Sequence, residues 1–480
     1  MRTHVGLVSC LLLGALVAGV PVCHAGSGSV DVSGVWQGTL SAMGSELRIV
    51  FRVQVGAEGE YAVTMDSPDQ GVTGISVDEV AVDGTSVRFG VSAIAGAFQG
   101  VLAEGGESIA GDWSQGGVSF PLTLARVEDA PEVVRPQDPV GTPTYRAEQV
   151  TYQNAAAGIT IGGTITIPQG EGPFPAVLLI SGSGPQDRNE TVFGHRPFLV
   201  LADNLTKRGI VVLRVDDRGV GATQGDVMQS TSRDLADDVL AGVRFLKTRP
   251  EVDPKRIGLL GHSEGAIIAP MVAVDSEDVA FIVLLAAPGI VGEEVLYDQA
   301  ARISAASGEA PEAAERNRKL QQSVFGVVKG QPDNMLASEE LGKLLRSAVD
   351  EMPEEERAQL GGSVDAFIEA QIRSVISPWF RFFLVHDPQL VLAHVTCPTL
   401  VLYGEKDLQV SPDANRTWVE AALKDSGNTD FTVKTFEGLN HLFQTAATGL
   451  VQEYAMIKET MAPAALDFIG GWIIERFGSK

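Results

Sequence analysis

A serine becomes a useful nucleophile when a tight turn lifts it clear of its neighbours and a base stands ready to take its proton. Gly261-His262-Ser263-Glu264-Gly265 has the composition for such a turn. It follows the apolar run Ile257-Gly258-Leu259-Leu260 and precedes the helix-like Ala266-Ile267-Ile268-Ala269. Strand, sharp turn and helix in that order form the setting in which a Gly-x-Ser-x-Gly serine projects its Oγ above a sheet. Both glycines are expected where strand and helix pass too closely for side chains. The helix that follows directs its positive end at a developing oxyanion. A bare Gly-x-Ser-x-Gly also occurs in ordinary glycine turns, and the flanking strand and helix set this one apart.

A base must come from His195, His262, His386, His394 or His441, once an N-terminal leader is set aside. His262 adjoins Ser263, so its ring should point away from the Oγ. His195 lies between the first two strands of the sheet described below, where it could line a pocket. His386 and His394 fall at the end of a helical stretch. His441 follows the run Phe431-Thr432-Val433-Lys434-Thr435-Phe436 in the loop Gly438-Leu439-Asn440-His441, where a last strand would deliver a base to the sheet edge. The orienting acid is expected from the strand before it. Leu400 to Tyr403 runs into Gly404-Glu405-Lys406-Asp407, and Asp407 is preferred over Glu405. Its task is to hold the imidazole in the right tautomer. The order Ser263, Asp407, His441 is one in which such triads occur.

Oxyanion donors are expected after Ile180, in Ser181-Gly182-Ser183-Gly184-Pro185-Gln186-Asp187-Arg188-Asn189. Small residues there let backbone N–H groups reach a ligand oxygen. The Ser183 N–H, or that of Gly184, is expected to pair with the Glu264 N–H. A phosphate loop is excluded because no lysine follows at the required place. Asp216-Asp217-Arg218-Gly219-Val220-Gly221 is expected to tie its loop through Arg218.

These residues need a scaffold. From Tyr145, short apolar runs alternate with helical patterns: Ala176 to Ile180, Ile210 to Val215, Ile257 to Leu260, Phe281 to Ala286 and Thr399 to Tyr403, with a helix over Ser232 to Leu246. Near-continuous β-branched runs indicate strands covered on both faces, and the alternation indicates βαβ units in a mainly parallel sheet. Residues from about 291 to 392 lack a clear strand and read as an inserted helical cap. Its segment Ser377-Pro378-Trp379-Phe380-Arg381-Phe382-Phe383 could line an acyl pocket through Trp379 and Phe380, or simply pack the cap on the sheet. His195 is the other candidate for the substrate pocket.

Upstream, residues 26–127 read as a small all-β domain, a barrel or sandwich. Leu47 to Val53 and Val82 to Phe89 alternate, with Asp83-Gly84 as a turn signal near the start of the second run, and Gly105-Gly106 marks a hairpin. Gly34-Val35-Trp36 resembles the opening of lipocalin-like barrels. The pattern is short, and a tryptophan plugging one end of a β core is the simpler reading. Residues 128–144 carry Pro131, Pro136, Pro139 and Pro143 and read as a linker. Residues 1–25 read as a secretory signal peptide, with Arg2, an apolar centre and a small-residue end at Ala25. The apolar run is short for a span of about 20 residues. Removal of that leader leaves Cys397 alone, so no intramolecular disulfide is expected.

The chain is 44% hydrophobic and 20% charged, which suits a globular protein with a large core. Its formal charge of −25 disfavours nucleic acid and anionic lipid as partners. Scattered histidines imply no metal, and no cofactor fingerprint is present. Oligomeric state is not legible.

Taken together, Ser181 to Asn189, Asp216 to Gly221, Gly261 to Gly265, Gly404 to Asp407 and Asn440-His441 make residues 145–480 resemble the bacterial α/β-hydrolases related to acyl esterases and to prolyl-oligopeptidase-like catalytic domains. The resemblance implies an α/β-hydrolase fold with the Ser263, Asp407 and His441 triad. A roughly hundred-residue β segment is far too short for the propeller of the peptidase branch. The leading expectation is hydrolysis of small-molecule carboxylic esters through an acyl-enzyme, by a protein exported to the periplasm or medium. Two alternatives are a peptidase or amidase, for which Glu190, Arg196 and their neighbours could anchor a peptide end although nothing singles them out, and a binding protein on an inactive scaffold.

Overall fold

The computed structural model describes residues 23–24, 31–42, 45–55, 60–68, 72–91, 94, 96–115, 118–128, 135–352, 357 and 364–478. The expected signal peptide lies outside these residues, apart from Cys23 and His24. Among the described residues the N-terminal region is an antiparallel meander. Its strands are β1 (Cys23–His24), β2 (Gly34–Ala42), β3 (Ser45–Val55), β4 (Glu60–Ser67), β5 (Val72–Ser76), β6 (Glu79–Asp83), β7 (Ser86–Val91), β8 (Gly96–Leu102), β9 (Ser108–Gln115) and β10 (Val118–Val127).

This sheet closes on itself. β10 returns to β2, with Val127 opposite Val35. At the other side β5 pairs with β4 and β6 with β7. Between them the Val77 N–H reaches Val63 O (3.1 Å) and the Asp78 N–H reaches Gly90 O (2.9 Å). Residues 72–83 therefore bridge β4 and β7 as one bent strand, which decides for a barrel over a sandwich. Closure removes the unpaired edges that an open sheet of this kind would present. The interior is filled with side chains. Phe51 lies 4.9 Å from Phe89, 6.0 Å from Phe98 and 6.4 Å from Trp113, centroid to centroid. Trp36 is fully buried, donates Nε1–H to Val32 O (2.8 Å) and carries the Arg126 guanidinium 4.4 Å from its ring centroid. The turn signal Asp83-Gly84 near the start of the run Val82 to Phe89 is a real turn. Gly84 has φ +55°, and the turn splits the run into β6 and β7.

The connection between the two regions is docked over part of its length. Arg135 is buried and donates to the carbonyls of Gly194, Ile457, Phe193 and Ala455. Asp138, also buried, accepts from the Arg196 guanidinium at 2.7 Å. Proline content marks the segment as a linker, and residues 135–138 of it are held by side-chain bonds that composition does not reveal.

The second region is an eight-stranded sheet. Its strands are β11 (Arg146–Asn154), β12 (Ile159–Ile167), β13 (Phe174–Ile180), β14 (Val211–Val215), β15 (Val252–His262), β16 (Phe281–Leu285), β17 (Thr399–Gly404) and β18 (Phe431–Phe436), in the order β11-β12-β14-β13-β15-β16-β17-β18. β14 through β18 are joined by parallel pairs, and β11 and β12 join antiparallel. That antiparallel pair escapes the sequence reading because β11, RAEQVTYQN, is a polar edge strand without a continuous apolar run.

Two apolar layers cover the sheet. One holds α2 (Ser232–Lys247) and α3 (Gly265–Asp275) over Leu178, Leu213 and Leu259. The other holds α1 (Pro197–Lys207) against Leu179, Val212 and Leu260, together with the C-terminal helix Pro463–Phe477. Alternation of side chains along each strand assigns Leu178 and Leu179 to opposite layers. Between β16 and β17 the chain leaves the sheet and builds the cap from α4 (Gly292–Ser307), α5 (Pro311–Gly330), α6 (Asn334–Asp350), α7 (Val364–Val375), α8 (Pro378–Val385) and α9 (Gln389–Leu392). Val324, Phe325, Leu341, Leu345, Ile368 and Phe380 form its own small core.

Candidate active site

β15 ends at His262 and α3 begins at Gly265, so Ser263 stands in the turn between them. Its φ of +53° lies in the left-handed region, which a non-glycine residue occupies at a cost of about 1–3 kcal/mol. The turn is held from both sides. The Ser263 N–H bonds to Leu285 O at 2.9 Å, and the Ala266 N–H bonds to Ser263 O at 2.9 Å. The two glycines are steric necessities. A Cβ on residue 261 would stand 1.9 Å from Gly265 O, and one on residue 265 would stand 2.2 Å from Ile180 O.

His441 and Asp407 meet beyond the ends of β18 and β17. His441 Nδ1 and Asp407 Oδ2 are 2.8 Å apart, and both side chains are buried. Asp407 Oδ1 accepts the N–H groups of Gln409 and Val410, each at 2.8 Å. A carboxylate accepts only, so the Nδ1 proton faces Asp407 and Nε2 is left as the basic nitrogen. Glu405, the competing acid, instead accepts the Gly438 N–H at 2.8 Å.

The loop bearing His441 is tied to the Ser263 turn through His262. Its Nε2 lies 3.0 Å from the carbonyl O of His441, and the two imidazole centroids are 4.7 Å apart. Its Nδ1 lies 2.9 Å from Glu190 Oε1, which also accepts the Gly182 N–H at 2.8 Å. Burial pushes the His262 ring toward neutrality, but the Glu190 carboxylate and the His441 carbonyl outweigh it and raise its pKa. This pair was missed as a pair by the sequence reading. Glu190 is 72 residues upstream, and no local pattern joins it to His262.

The loop after β13 lies against the turn. A Cβ on Gly182 would stand 3.4 Å from Ser263 Cβ. Because Glu190 engages the Gly182 amide, Ser183 and Gly184 carry the next donors along the loop. Asp217 fastens the same loop, accepting from Ser181 Oγ (2.8 Å) and the Gln186 N–H (2.9 Å). Burial raises the Asp217 pKa well above the usual carboxylate range. Arg218 bonds to Asp238, to Ser230 Oγ and to Asp234 O, tying the neighbouring loop to α2 as its composition suggested.

Glu264, next to Ser263 in sequence, is buried. Its Oε1 accepts from Ser232 Oγ (2.6 Å) and from Trp379 Nε1 (2.8 Å). Burial raises its pKa, against the bonds from Ser232, Trp379 and Ser183. The indole thus joins cap helix α8 to the nucleophile turn. The other two pocket candidates are corrected. Phe380 turns into the cap core, 5.7 Å from Phe325. His195 has no exposed surface, and its ring nitrogens face Thr460 Oγ1 (3.0 Å) and Tyr454 O (2.9 Å). Burial and the nearby Arg135 lower its pKa to about 4. It packs one loop on another and has no free nitrogen for a ligand.

Among the described residues no cluster of three or more His, Cys, Asp or Glu is arranged to hold a metal ion. No helix among them is long and apolar enough to cross a membrane. Cys397 is free and half-buried, and burial raises its thiol pKa to about 11.

The chain is similar to proteins already known. It is 28% identical over 313 residues to Esterase EstD of Thermotoga maritima, covering 65% of this chain and 65% of EstD, slightly less than two thirds of its length. It is 32% identical over 126 residues to the uncharacterized protein Rv2307c of Mycobacterium tuberculosis, covering 26% of this chain and 41% of that protein. A solved structure similar to it is the Pyrococcus furiosus esterase Pf2001, with 17% identity, a TM-score of 0.42, and coverage of 72% of this chain and 98% of that one. The model of the alpha/beta hydrolase family matches residues 177–453, more than half of the chain, from within β13 through the cap to the loop bearing His441. Sheet order, the strained turn at Ser263 and the family model agree, and the chain belongs to the alpha/beta hydrolase family.

Proposed function

We propose that this protein is a serine hydrolase that cleaves carboxylic esters of small molecules through an acyl-enzyme. Ser263 is the nucleophile, His441 the base and Asp407 the acid that orients it. The observation that carries the reading is the 2.8 Å bond from His441 Nδ1 to Asp407, on a loop whose His441 carbonyl is tied to the residue preceding Ser263. That bond leaves Nε2 ready to accept the Ser263 proton as Oγ attacks the ester carbonyl. The same proton then passes to the departing alcohol, and a water molecule repeats the sequence to release the acid. The amides of Ser183 or Gly184 and of Glu264 are the donors we assign to the oxyanion. Trp379, joined to Glu264, is the residue we assign to the cap side of the acyl pocket.

The two residues offered for the peptidase alternative have other partners. Glu190 is engaged by His262 and Gly182, and Arg196 by Asp138. The similarity to Esterase EstD supports the ester reading. Turnover of a simple aryl ester by the wild type, its loss in Ser263→Ala and labelling of the wild type alone by an organophosphonate are the expected results. Undiminished turnover in Ser263→Ala refutes the assignment, and an unlabelled, inactive wild type favours a binding protein. Export rests on the N-terminal segment. N-terminal sequencing of the protein recovered from a periplasmic fraction tests it, with a start after Ala25 expected.

A further inference from the structure

Three backbone segments must hold a common register for the proposed chemistry: the loop after β13, the nucleophile turn and the loop bearing His441. One pair of side chains touches all three. His262 belongs to the turn itself and bonds the His441 carbonyl through Nε2 (3.0 Å). Glu190 bonds His262 Nδ1 (2.9 Å) and the Gly182 amide (2.8 Å). Neither side chain is part of the proton path proposed above.

The protonation of the pair follows from its acceptors. A carbonyl oxygen cannot donate, so His262 Nε2 carries a hydrogen. Glu190 Oε1 already accepts the Gly182 N–H, and the same oxygen faces Nδ1. One further proton lies between Nδ1 and Glu190 Oε1 in either case, and the Glu190 carboxylate and His441 carbonyl raise the ring's pKa, favouring an imidazolium facing a carboxylate. Both side chains are almost wholly buried. A buried pair of this kind is weak as a source of stability, because desolvation offsets its attraction. Its geometry is nonetheless stringent, and breaking it leaves a buried charge uncompensated. Glu190 also holds φ +52°, a backbone conformation that persists only where surrounding contacts impose it.

We infer that Glu190 and His262 are positioning residues for the hydrolytic reaction, setting the base-bearing loop and the oxyanion-side loop relative to the nucleophile turn. The inference rests on the serine hydrolase reading and goes beyond it, since it assigns work to two residues outside the triad. They act through backbone: Gly182 N–H on one side and His441 C=O on the other. Misplacement of a reacting group by about 1 Å costs on the order of 100-fold in rate. Loss of the pair should therefore reduce turnover far more than substrate affinity.

The test compares Glu190→Gln, His262→Ala, His262→Gln and the double Glu190→Gln/His262→Ala variant with wild type. An organophosphonate run to completion counts competent sites, so kcat is expressed per site, and thermal midpoints are recorded alongside. Glu190→Gln should lower kcat roughly 10- to 100-fold with KM within about threefold, and His262→Ala should lower kcat about 100-fold or more. His262→Gln keeps an N–H able to reach the His441 carbonyl and should recover about tenfold of the alanine loss. The double variant should be no worse than its worse parent, because the residues act as a unit. Unchanged kcat per site in Glu190→Gln and His262→Ala, with only a lower thermal midpoint, overturns the inference. Glu190→Gln is isosteric and carries the test by itself should the alanine variant not fold. Ser263→Ala separates the two ideas. If it is inactive while the pair variants keep full kcat, positioning alone fails. If it remains active, the hydrolase reading fails and takes this inference with it.

Discussion

Asp407→Asn changes one oxygen to an NH2 group and probes the proton path directly. Asp407 Oδ1 accepts two backbone amides, from Gln409 and Val410, at 2.8 Å each. An asparagine must keep its carbonyl oxygen on that side, because an NH2 group there would face two donors. Its NH2 group is thereby forced toward His441 Nδ1 and donates to it. The imidazole hydrogen then moves to Nε2, the nitrogen that should accept the Ser263 proton. In a serine protease triad the corresponding change costs about 10,000-fold in kcat. With the amide locked as it is here, a loss of roughly 1,000- to 10,000-fold is expected, or about 4–5.5 kcal/mol at 1.36 kcal/mol per tenfold. The assay is kcat for an aryl ester with the thermal midpoint as a control for folding. Asp407→Ala, which imposes no tautomer, should be no more damaging than the isosteric change. Activity of Asp407→Asn within tenfold of wild type, in a folded protein, refutes the assigned proton path.

Three further outcomes follow from the geometry. The His195 pKa of about 4 lies below its ordinary 6.5, so neutral His195 contributes stability that is present above pH 6.5 and is lost as pH falls toward 4. The contribution is at most about 3 kcal/mol, and urea unfolding at pH 7 and pH 4.5 should show a smaller acid loss in His195→Gln than in wild type. Arg135→Met strips four carbonyls of their donor. It should destabilise by roughly 2–4 kcal/mol and speed proteolysis within residues 128–144, as gel electrophoresis of timed digests would show. Trp379→Phe removes the indole donor from the buried Glu264 carboxyl. It should cost about 1–3 kcal/mol in thermal or urea unfolding, and an unchanged midpoint would argue that cap and nucleophile turn are not coupled there.

The nucleophile turn was legible because its demands are local. Contacts as close as 1.9 Å between residues four apart admit only glycine at 261, and the strand and helix on either side carry their own patterns. Asp407 and His441 were legible for a similar reason, since each sits a few residues past the end of an apolar strand. The β11–β12 pair was not, because an edge strand with polar side chains has no apolar period. Nor was barrel closure, which depends on residues 72–83 pairing with β4 at one end and β7 at the other.

By itself, then, the chain's order of residues determined the apolar runs, the turn that presents Ser263, and the loops that follow the strands bearing Asp407 and His441. Tertiary structure alone decided what the buried polar groups do: that Glu190 serves His262, that His195 is locked between Thr460 and Tyr454, that Phe380 faces the cap core while Trp379 reaches Glu264. The physical reason is range. Periodicity and steric exclusion act between neighbours along the chain. A buried donor finds its acceptor across 72, 115 or 265 residues, and that choice is made only when the layers pack.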